Sequence, residues 1–159
     1  MEKILFSSGK DDWGTPPELF EELDAEFHFD LDPCAKPETA KCKDFYTPEQ
    51  DGLQQDWCGR RVFCNPPYSK KKRGNPGQEA WIKKCADEAK KPGTLVVMLI
   101  PARTDTKAFH EYIYNKAEIR FLPGRVHFYT DGKRGDAAPF PSMIVVFKSK
   151  DDLDKILED

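Results

Sequence analysis

The stretch Val62-Phe63-Cys64-Asn65-Pro66-Pro67-Tyr68 carries an apolar run directly into two prolines. The apolar run predicts a buried strand, which has to end there because each proline fixes its own φ and lacks an N–H group. Asn65 is therefore held extended at the strand end, and the Pro66 carbonyl is fixed in direction. The Asn65 side chain and the Pro66 carbonyl offer two hydrogen-bond acceptors, and the Tyr68 ring offers one aromatic face. This set suits a flat group with an exocyclic amine, such as adenine. The alternative is a proline-rich turn that caps a core strand.

Apolar patterns on both sides of this stretch alternate between strand and helix. The continuous apolar run from Thr94 to Ile100 predicts a buried, central parallel strand. The full prediction has strands at 27–31, 43–46, 62–64, 94–100, 119–122, 125–129 and 143–147, and helices from residue 15 onward and at 78–90, 104–115 and 151–159. Such alternation around a buried strand indicates an α/β sheet that is covered on both faces.

The stretch Thr15-Pro16-Pro17-Glu18 has the pattern of a helix start. Threonine is a good N-cap, proline is favoured at the first helical position, and the glutamate completes a capping box. The N–H groups of such a helix end also suit a carboxylate ligand. The alternative is an ordinary cap that binds nothing.

Composition places the chain among globular proteins, since its 159 residues suffice for one domain and 38% of them are hydrophobic. Without a long apolar run or a signal-peptide pattern, we expect no membrane association and a cytoplasmic location. The five cysteines form no C-x-x-C pair and the three histidines are not spaced to join them. We therefore expect free thiols and no metal site.

The net charge of −3 means that affinity for nucleic acid has to come from a local patch. The densest basic run is Lys70-Lys71-Lys72-Arg73, directly after Tyr68, and its alternative is a solvated loop. Arg103 and Arg125 follow strand ends, where they can contact a phosphate or pair with an acidic neighbour.

Six motifs, in order along most of the chain, resemble the amino-methyltransferases that use S-adenosylmethionine, and above all the small phage-type DNA N6-adenine methyltransferases. They are Trp13-Gly14-Thr15-Pro16-Pro17-Glu18, Asp30-Leu31-Asp32-Pro33-Cys34-Ala35, Asp56-Trp57, Asn65-Pro66-Pro67-Tyr68, Ile100-Pro101-Ala102-Arg103 and Gly124-Arg125. The resemblance implies one Rossmann-like methyltransferase domain over residues 1–159, with a mostly parallel sheet and an antiparallel strand near its C-terminal edge. It also implies methyl transfer from S-adenosylmethionine to N6 of an adenine flipped out of duplex DNA, in the host cytoplasm if the protein is encoded by a phage.

The resemblance also implies roles for individual residues. The amine chemistry falls to Asn65, Pro66, Pro67 and Tyr68. Cofactor binding falls to Trp13, Thr15, Asp32, Pro33, Cys34, Asp56 and Trp57. The Gly-x-Gly that normally follows the Asp-Pro element is absent, and Ala35-Lys36-Pro37 stands in its place.

Each cofactor assignment has a structural alternative. Asp32 can simply initiate an Asp-Pro turn. The pair Asp56-Trp57 can be an exposed acid beside a buried ring, and Asp44 is a second candidate for the ribose hydroxyls. Because Asp32 and Asn65 both end strands, we expect them to face one crevice at the carboxyl edge of the sheet.

Two other functions remain open from the residues. One is methylation of protein glutamine or RNA guanine, which are also planar amines. The other is a catalytically silent phage DNA-binding protein. The chain leaves little room for a separate target-recognition domain, so we expect loops such as 69–77 and 124–138 to recognise the DNA sequence.

Overall fold

The computed structural model describes residues 13–68 and 77–149. Its helices are α1 (Pro17–Phe27) and α2 (Gly77–Glu88), with a 3-10 helix at Gly52–Gln54 and a π-helix at Phe109–Ile113. Its strands are β1 (Leu31–Asp32), β2 (Asp44–Phe45), β3 (Arg61–Cys64), β4 (Leu95–Pro101), β5 (Glu118–Phe121), β6 (His127–Thr130), β7 (Lys133–Ala137) and β8 (Ser142–Lys148).

Six strands form the main sheet in the order β2-β1-β3-β4-β8-β5. The four strands from β2 to β4 in this order pair in parallel, whereas β8 is antiparallel to both of its neighbours. The sheet is thus mostly parallel with an antiparallel strand near one edge. The predicted α/β methyltransferase architecture is confirmed.

The central strand β4 is buried along its whole length, as its apolar run predicts. Val96, Met98 and Ile100 pack in the cluster that includes α2. Val97 and Leu99 point to the other face, where they pack in the cluster that includes α1. This alternation follows from the two-residue period of a strand, and it means that helices cover both faces of the sheet.

Helix α1 begins one residue later than the capping pattern predicts. Pro16 is the N-cap and Pro17 the first helical residue, and no side chain among the described residues caps the helix. The predicted Thr15 cap is therefore wrong. Thr15 precedes the N-cap residue and is buried, and its hydroxyl accepts a hydrogen bond from the side chain of Asn65 instead of capping the helix. Proline at the N-cap is tolerated because the first N–H groups of a helix have no intrahelical partner.

The end of α1 shortens the first strand. Phe27 is still helical, and His28 takes a left-handed conformation with φ 55° while its N–H binds the Asp24 carbonyl. The strand predicted from residue 27 is therefore confined to Leu31–Asp32.

Four other predictions differ from the structure or fall outside it. The helix predicted over 104–115 contains the π-helix at Phe109–Ile113. The strand predicted at 125–129 does not join the main sheet: β6 pairs with β7, a strand that was not predicted. The C-terminal helix at 151–159 lies outside the described residues, as does the loop 69–77 except Gly77, which begins α2.

Within the described ranges, none of the helices combines the length and the apolar character needed to cross a membrane.

Candidate active site

The carboxyl ends of β1 and β3 are neighbours, because Leu31 pairs with Val62 in the parallel ladder. This brings the Asp32-Pro33-Cys34 element beside Asn65. The Cys34 thiol donates to the Asn65 carbonyl, with the sulfur 3.3 Å from the oxygen. The two motifs that the sequence assigns to cofactor and substrate therefore meet at one edge of the sheet, where open α/β sheets bind their ligands.

The Asn65 amide is held in one orientation. Its Nδ2 donates to the Trp13 carbonyl at 2.7 Å and to the Thr15 hydroxyl at 3.1 Å. Its Oδ1 is buried and has no hydrogen-bond partner in the described part of the chain. Since buried polar atoms are nearly always paired, an unpaired amide oxygen here indicates an acceptor kept for a ligand donor.

Two further buried polar atoms have no partner among the described residues, and both lie near the same edge. They are Gln78 Nε2, at the start of α2, and Ser142 Oγ, which belongs to the residue paired with the last residue of β4. Unpaired groups are concentrated at the carboxyl edge of the parallel strands, as expected of a binding edge rather than of a core.

Four rings pack together beside Asn65, and we call them the aromatic cluster: Trp13, Tyr68, Phe128 and Phe140. Tyr68 stacks on Trp13 with centroids 5.3 Å apart and on Phe140 at 5.6 Å, and it meets Phe128 edge-on at 5.4 Å. Burial holds the pKa of Tyr68 well above its usual value, so the phenol is neutral. The cluster fixes the Tyr68 ring in position next to the amide.

Asp32 is a buried carboxylate at the end of β1. Its oxygens accept from the backbone N–H groups of Cys34 at 3.3 Å and Lys41 at 3.0 Å. Burial raises the pKa of Asp32 to about 6, and the two N–H bonds oppose the rise. A carboxylate that retains unused acceptor capacity in a dry site gains most from a cationic ligand.

The thiol of Cys34 is a packed donor. The hydrogen bond with Cys64 and burial raise the pKa of Cys34 well above its ordinary value. The two sulfurs are 3.7 Å apart. Cys34 is thus a neutral thiol that connects the Asp32 element to β3.

Asp56 and Trp57 lie away from this crevice. Asp56 is exposed and forms an ion pair with Lys91 at 2.8 Å, near the amino ends of β3 and β4. Trp57 is fully buried in the core, where its indole N–H donates to the Gly52 carbonyl and its backbone N–H to Glu88. This geometry matches the structural alternative, an exposed acid beside a buried ring. It is an argument against the cofactor role predicted for the pair.

The other predicted polar residues are dispersed. Asp44 forms an ion pair with Arg60 at 2.6 Å. Arg103 follows β4, and its guanidinium lies 5.9 Å from the Phe140 ring centroid, at the border of the aromatic cluster. Arg125 is exposed, two residues before β6. Residues 70–73 lie outside the described ranges.

Sequence reasoning missed three contributors to the site. Phe128 and Phe140 complete the aromatic cluster, and Phe140 stands between two prolines, a signal that is visible in the sequence. Gly52 packs against Pro33 so closely that a Cβ atom there would lie 2.1 Å from the Pro33 carbonyl oxygen. This glycine supports the turn that carries Pro33 and Cys34.

Comparison with known proteins gives three matches. A family model described as DNA N-6-adenine-methyltransferase (Dam) matches residues 4–157. A DNA N-6-adenine-methyltransferase of Haemophilus phage HP1 (strain HP1c1) is 35% identical over 148 residues, which cover 90% of this chain and 82% of the relative. The putative methyltransferase YfdM of Escherichia coli (strain K12) is 37% identical over 65 residues, 36% of this chain and 71% of that protein.

Proposed function

This chain belongs to the DNA N-6-adenine-methyltransferase (Dam) family and methylates adenine N6 in DNA, and we propose that S-adenosylmethionine is the methyl donor and that the reaction takes place between Asp32 and Asn65. The location rests on the contact between the two elements through the Cys34 thiol and the Asn65 carbonyl. Because the substrate is DNA, we propose that the enzyme acts in the cytoplasm, which is that of the host cell if a phage encodes the protein.

The observation that carries this site is the unpaired, buried Oδ1 of Asn65. An amide could present either an oxygen or an NH2 group to the substrate, and only the oxygen can accept a hydrogen from an amine. Trp13 and Thr15 occupy the NH2 group, so the oxygen remains for the substrate. The Pro66 carbonyl is the second acceptor in the proposal. Together they bind both N6 hydrogens and localise the nitrogen lone pair.

The target adenine is proposed to leave the duplex and stack on Tyr68. Unstacking a base requires a few kcal/mol, which contacts in the pocket have to supply. The aromatic cluster contributes by holding Tyr68 rigid, so that little conformational entropy is lost when the base arrives. Pro67 restricts the backbone conformation between the two acceptors and the Tyr68 ring, because its own φ is fixed.

The chain offers suitable groups for the amino-acid part of S-adenosylmethionine. Asp32 is a buried carboxylate for the ammonium group, and α1 has an N-terminus that no described side chain caps, which suits the carboxylate. Pro33 and Cys34 shape the turn beside them. When bound there, S-adenosylmethionine would supply a methyl group on a sulfonium; its transfer to N6 would leave the neutral thioether S-adenosylhomocysteine, and the proton lost from N6 would pass to solvent.

The roles of Trp13 and Thr15 change from direct cofactor contact to support. Trp13 packs in the aromatic cluster, and both residues hold the Asn65 amide.

Asp56 and Trp57 are left out of the proposed cofactor site because of their location. For the DNA backbone, Arg103 beside Phe140, Arg125 and the run Lys70-Lys71-Lys72-Arg73 remain the proposed contacts.

The substrate assay compares duplex DNA, structured RNA and a glutamine-containing protein substrate, each incubated with methyl-labelled S-adenosylmethionine. We expect label in DNA alone, recovered as N6-methyladenine after digestion.

Asn65→Ala should remove the label while cofactor affinity, measured by calorimetry, is retained. Asn65→Asp is the matched control, since it keeps an acceptor and should keep part of the activity. Label in RNA or protein, or near-normal turnover by Asn65→Ala, contradicts the proposal.

A further inference from the structure

A cavity of about 150 Å³ lies at the carboxyl end of β4, between the first turn of α2 and the π-helix. Its described lining is largely apolar and includes Ile82, Phe109 and Met143. Neither the Asp32 carboxylate nor the Asn65 amide belongs to this lining. The cavity is therefore distinct from the site that we propose for the cofactor and the target adenine.

The cavity and the aromatic cluster lie on opposite faces of the sheet, at the end of one strand. Leu99 points to the α1 face, and its carbonyl oxygen is 3.4 Å from the Tyr68 hydroxyl. The next residue, Ile100, points to the α2 face and lines the cavity. Arg103 lines the cavity as well, and its guanidinium is 5.9 Å from the Phe140 ring centroid. One cation thus borders both places.

The side chain of Gln78 brings an unsatisfied donor to the cavity. It belongs to the lining, and its Nε2 is buried without a hydrogen-bond partner among the described residues. A buried N–H group that lacks a partner is unfavourable, because its hydration is lost and nothing replaces it. A ligand with an acceptor at this point restores the missing hydrogen bond.

The exposed part of the lining is positively charged. Arg103 and Lys107 are both exposed, and neither takes part in an ion pair with a described residue. Glu79 is the acidic residue of the described lining, and it is engaged in another interaction. Two cations against one carboxylate favour an anionic group, such as a phosphate, at the entrance.

Size, donor and charge together define the class of ligand. An apolar cavity of about 150 Å³ accommodates a single six-membered ring such as benzene. A pyrimidine base is a ring of this size and carries a carbonyl acceptor, whereas a purine has two fused rings. In a nucleotide, the base is also joined to a phosphate. The combination of an apolar interior, a buried donor and a cationic entrance therefore suits a pyrimidine nucleotide.

We propose that this cavity holds a pyrimidine base of the DNA substrate, that of the nucleotide next to the target adenine, and that Gln78 donates to its carbonyl oxygen. This inference rests on the proposed function. Arg103 then binds the phosphate between the two nucleotides, with the adenine at Tyr68 on one face of the sheet and the pyrimidine on the other. Burial of the base in the cavity offsets the unstacking of this second nucleotide.

The experiment is an abasic scan of a duplex that the enzyme selects by binding from a random library. Each nucleotide is replaced in turn by an abasic one, and the dissociation constant is measured with S-adenosylhomocysteine present, so that no methyl group is transferred. The scan is repeated with two variants of the lining. Gln78→Met removes the donor at similar side-chain size, and Ala108→Leu fills part of the cavity. Thermal unfolding confirms that each variant is folded, and the more conservative Gln78→Met is sufficient for the test by itself.

For the wild type, we expect removal of one pyrimidine beside the target adenine to raise the dissociation constant by about tenfold. Both variants should bind the intact duplex about tenfold more weakly, and removal of that pyrimidine should weaken them no further, because the interaction is already lost. Base removal elsewhere should have the same effect in all three proteins. Lys90→Ala removes an exposed cation near the amino end of β4 and should give the wild-type scan.

The inference is overturned if base removal has equal effects in the wild type and both variants at every position, or if both variants bind the intact duplex as the wild type does. It is also overturned if free thymidine 5′-monophosphate binds, Gln78→Met weakens that binding, and the scan shows no coupling, since the cavity then takes a free nucleotide. The proposed function fails separately, when no N6-methyladenine forms, because the scan measures binding alone.

Discussion

The hydroxyl of Thr15 accepts a hydrogen bond from Nδ2 of Asn65 at 3.1 Å, across 50 residues of sequence. The bond joins the segment before α1 to the end of β3. Its effect is on the other atom of the amide, since occupying the nitrogen leaves Oδ1 as a buried acceptor without a partner among the described residues, the acceptor that we propose for the substrate amine.

Replacing this hydroxyl tests whether Thr15 acts through Asn65. Thr15→Val should lower kcat by about tenfold, because a hydrogen bond of roughly 1 kcal/mol is lost and the buried amide nitrogen becomes partly unpaired. Thr15→Ser keeps the hydroxyl and should restore most of kcat. Steady-state kinetics separates this role from direct cofactor binding. If Thr15 bound the cofactor directly, Thr15→Val would raise KM for S-adenosylmethionine while kcat stayed near the wild-type value.

Tyr68 is expected to act through its ring. Its hydroxyl is 3.4 Å from the Leu99 carbonyl, a weak contact, so Tyr68→Phe should keep most of the activity and stability. Tyr68→Ala opens a hole in the aromatic cluster and should cost about 3 kcal/mol in the free energy of unfolding as well as most of kcat. Denaturant titration and turnover assays measure both. An equal loss of turnover in the two variants would assign the function to the hydroxyl.

Cofactor affinity should depend on pH through Asp32. Burial raises the pKa of Asp32 to about 6, so the carboxyl is ionised at pH 7.5 and mostly neutral at pH 5. The ionised form binds the ammonium group, and affinity should therefore weaken below pH 6, by about tenfold per pH unit. Calorimetry between pH 5 and pH 7.5 measures this slope. Asp32→Asn should bind weakly without the slope, and a wild-type affinity constant over this range would exclude Asp32 from the cofactor site.

Asp56→Ala should leave cofactor affinity unchanged, because its carboxylate is exposed and bonded to Lys91 and to the Cys58 N–H group. Asp32→Ala is the comparison, and there we expect a loss of about ten- to hundredfold, since a charged hydrogen bond is removed. Both values come from the same calorimetric titration. Weaker binding by Asp56→Ala would return this residue to the cofactor site.

The part of the site that sequence reasoning predicts is the part that local chemistry determines. Two prolines end β3 whatever surrounds them, and this fixes Asn65 at the sheet edge. Asp32 ends β1 in the same way, so parallel pairing brings the two residues to one crevice. The partners of Asn65 were not predictable, because a side-chain bond over 50 residues leaves no local pattern.

Two local patterns lie in surroundings that the sequence alone does not reveal. The capping-box pattern is present at Thr15, but the adjacent Pro16 occupies the N-cap, and the threonine hydroxyl accepts from the Asn65 side chain instead. The acid-aromatic pair Asp56-Trp57 has the composition of a cofactor contact. Burial of the indole in the core and the location of Lys91 decide its actual place. Both outcomes depend on tertiary contacts.

Gly14 connects the Asn65 amide to the β6–β7 strand pair. A Cβ atom at Gly14 would lie 3.0 Å from the Tyr129 carbonyl oxygen, so the backbones can be this close only with glycine or a local shift. Its two neighbours hold Asn65, and its own backbone holds β6. A displacement of β6 is thus transmitted through Gly14 to the two groups that hold the Asn65 amide.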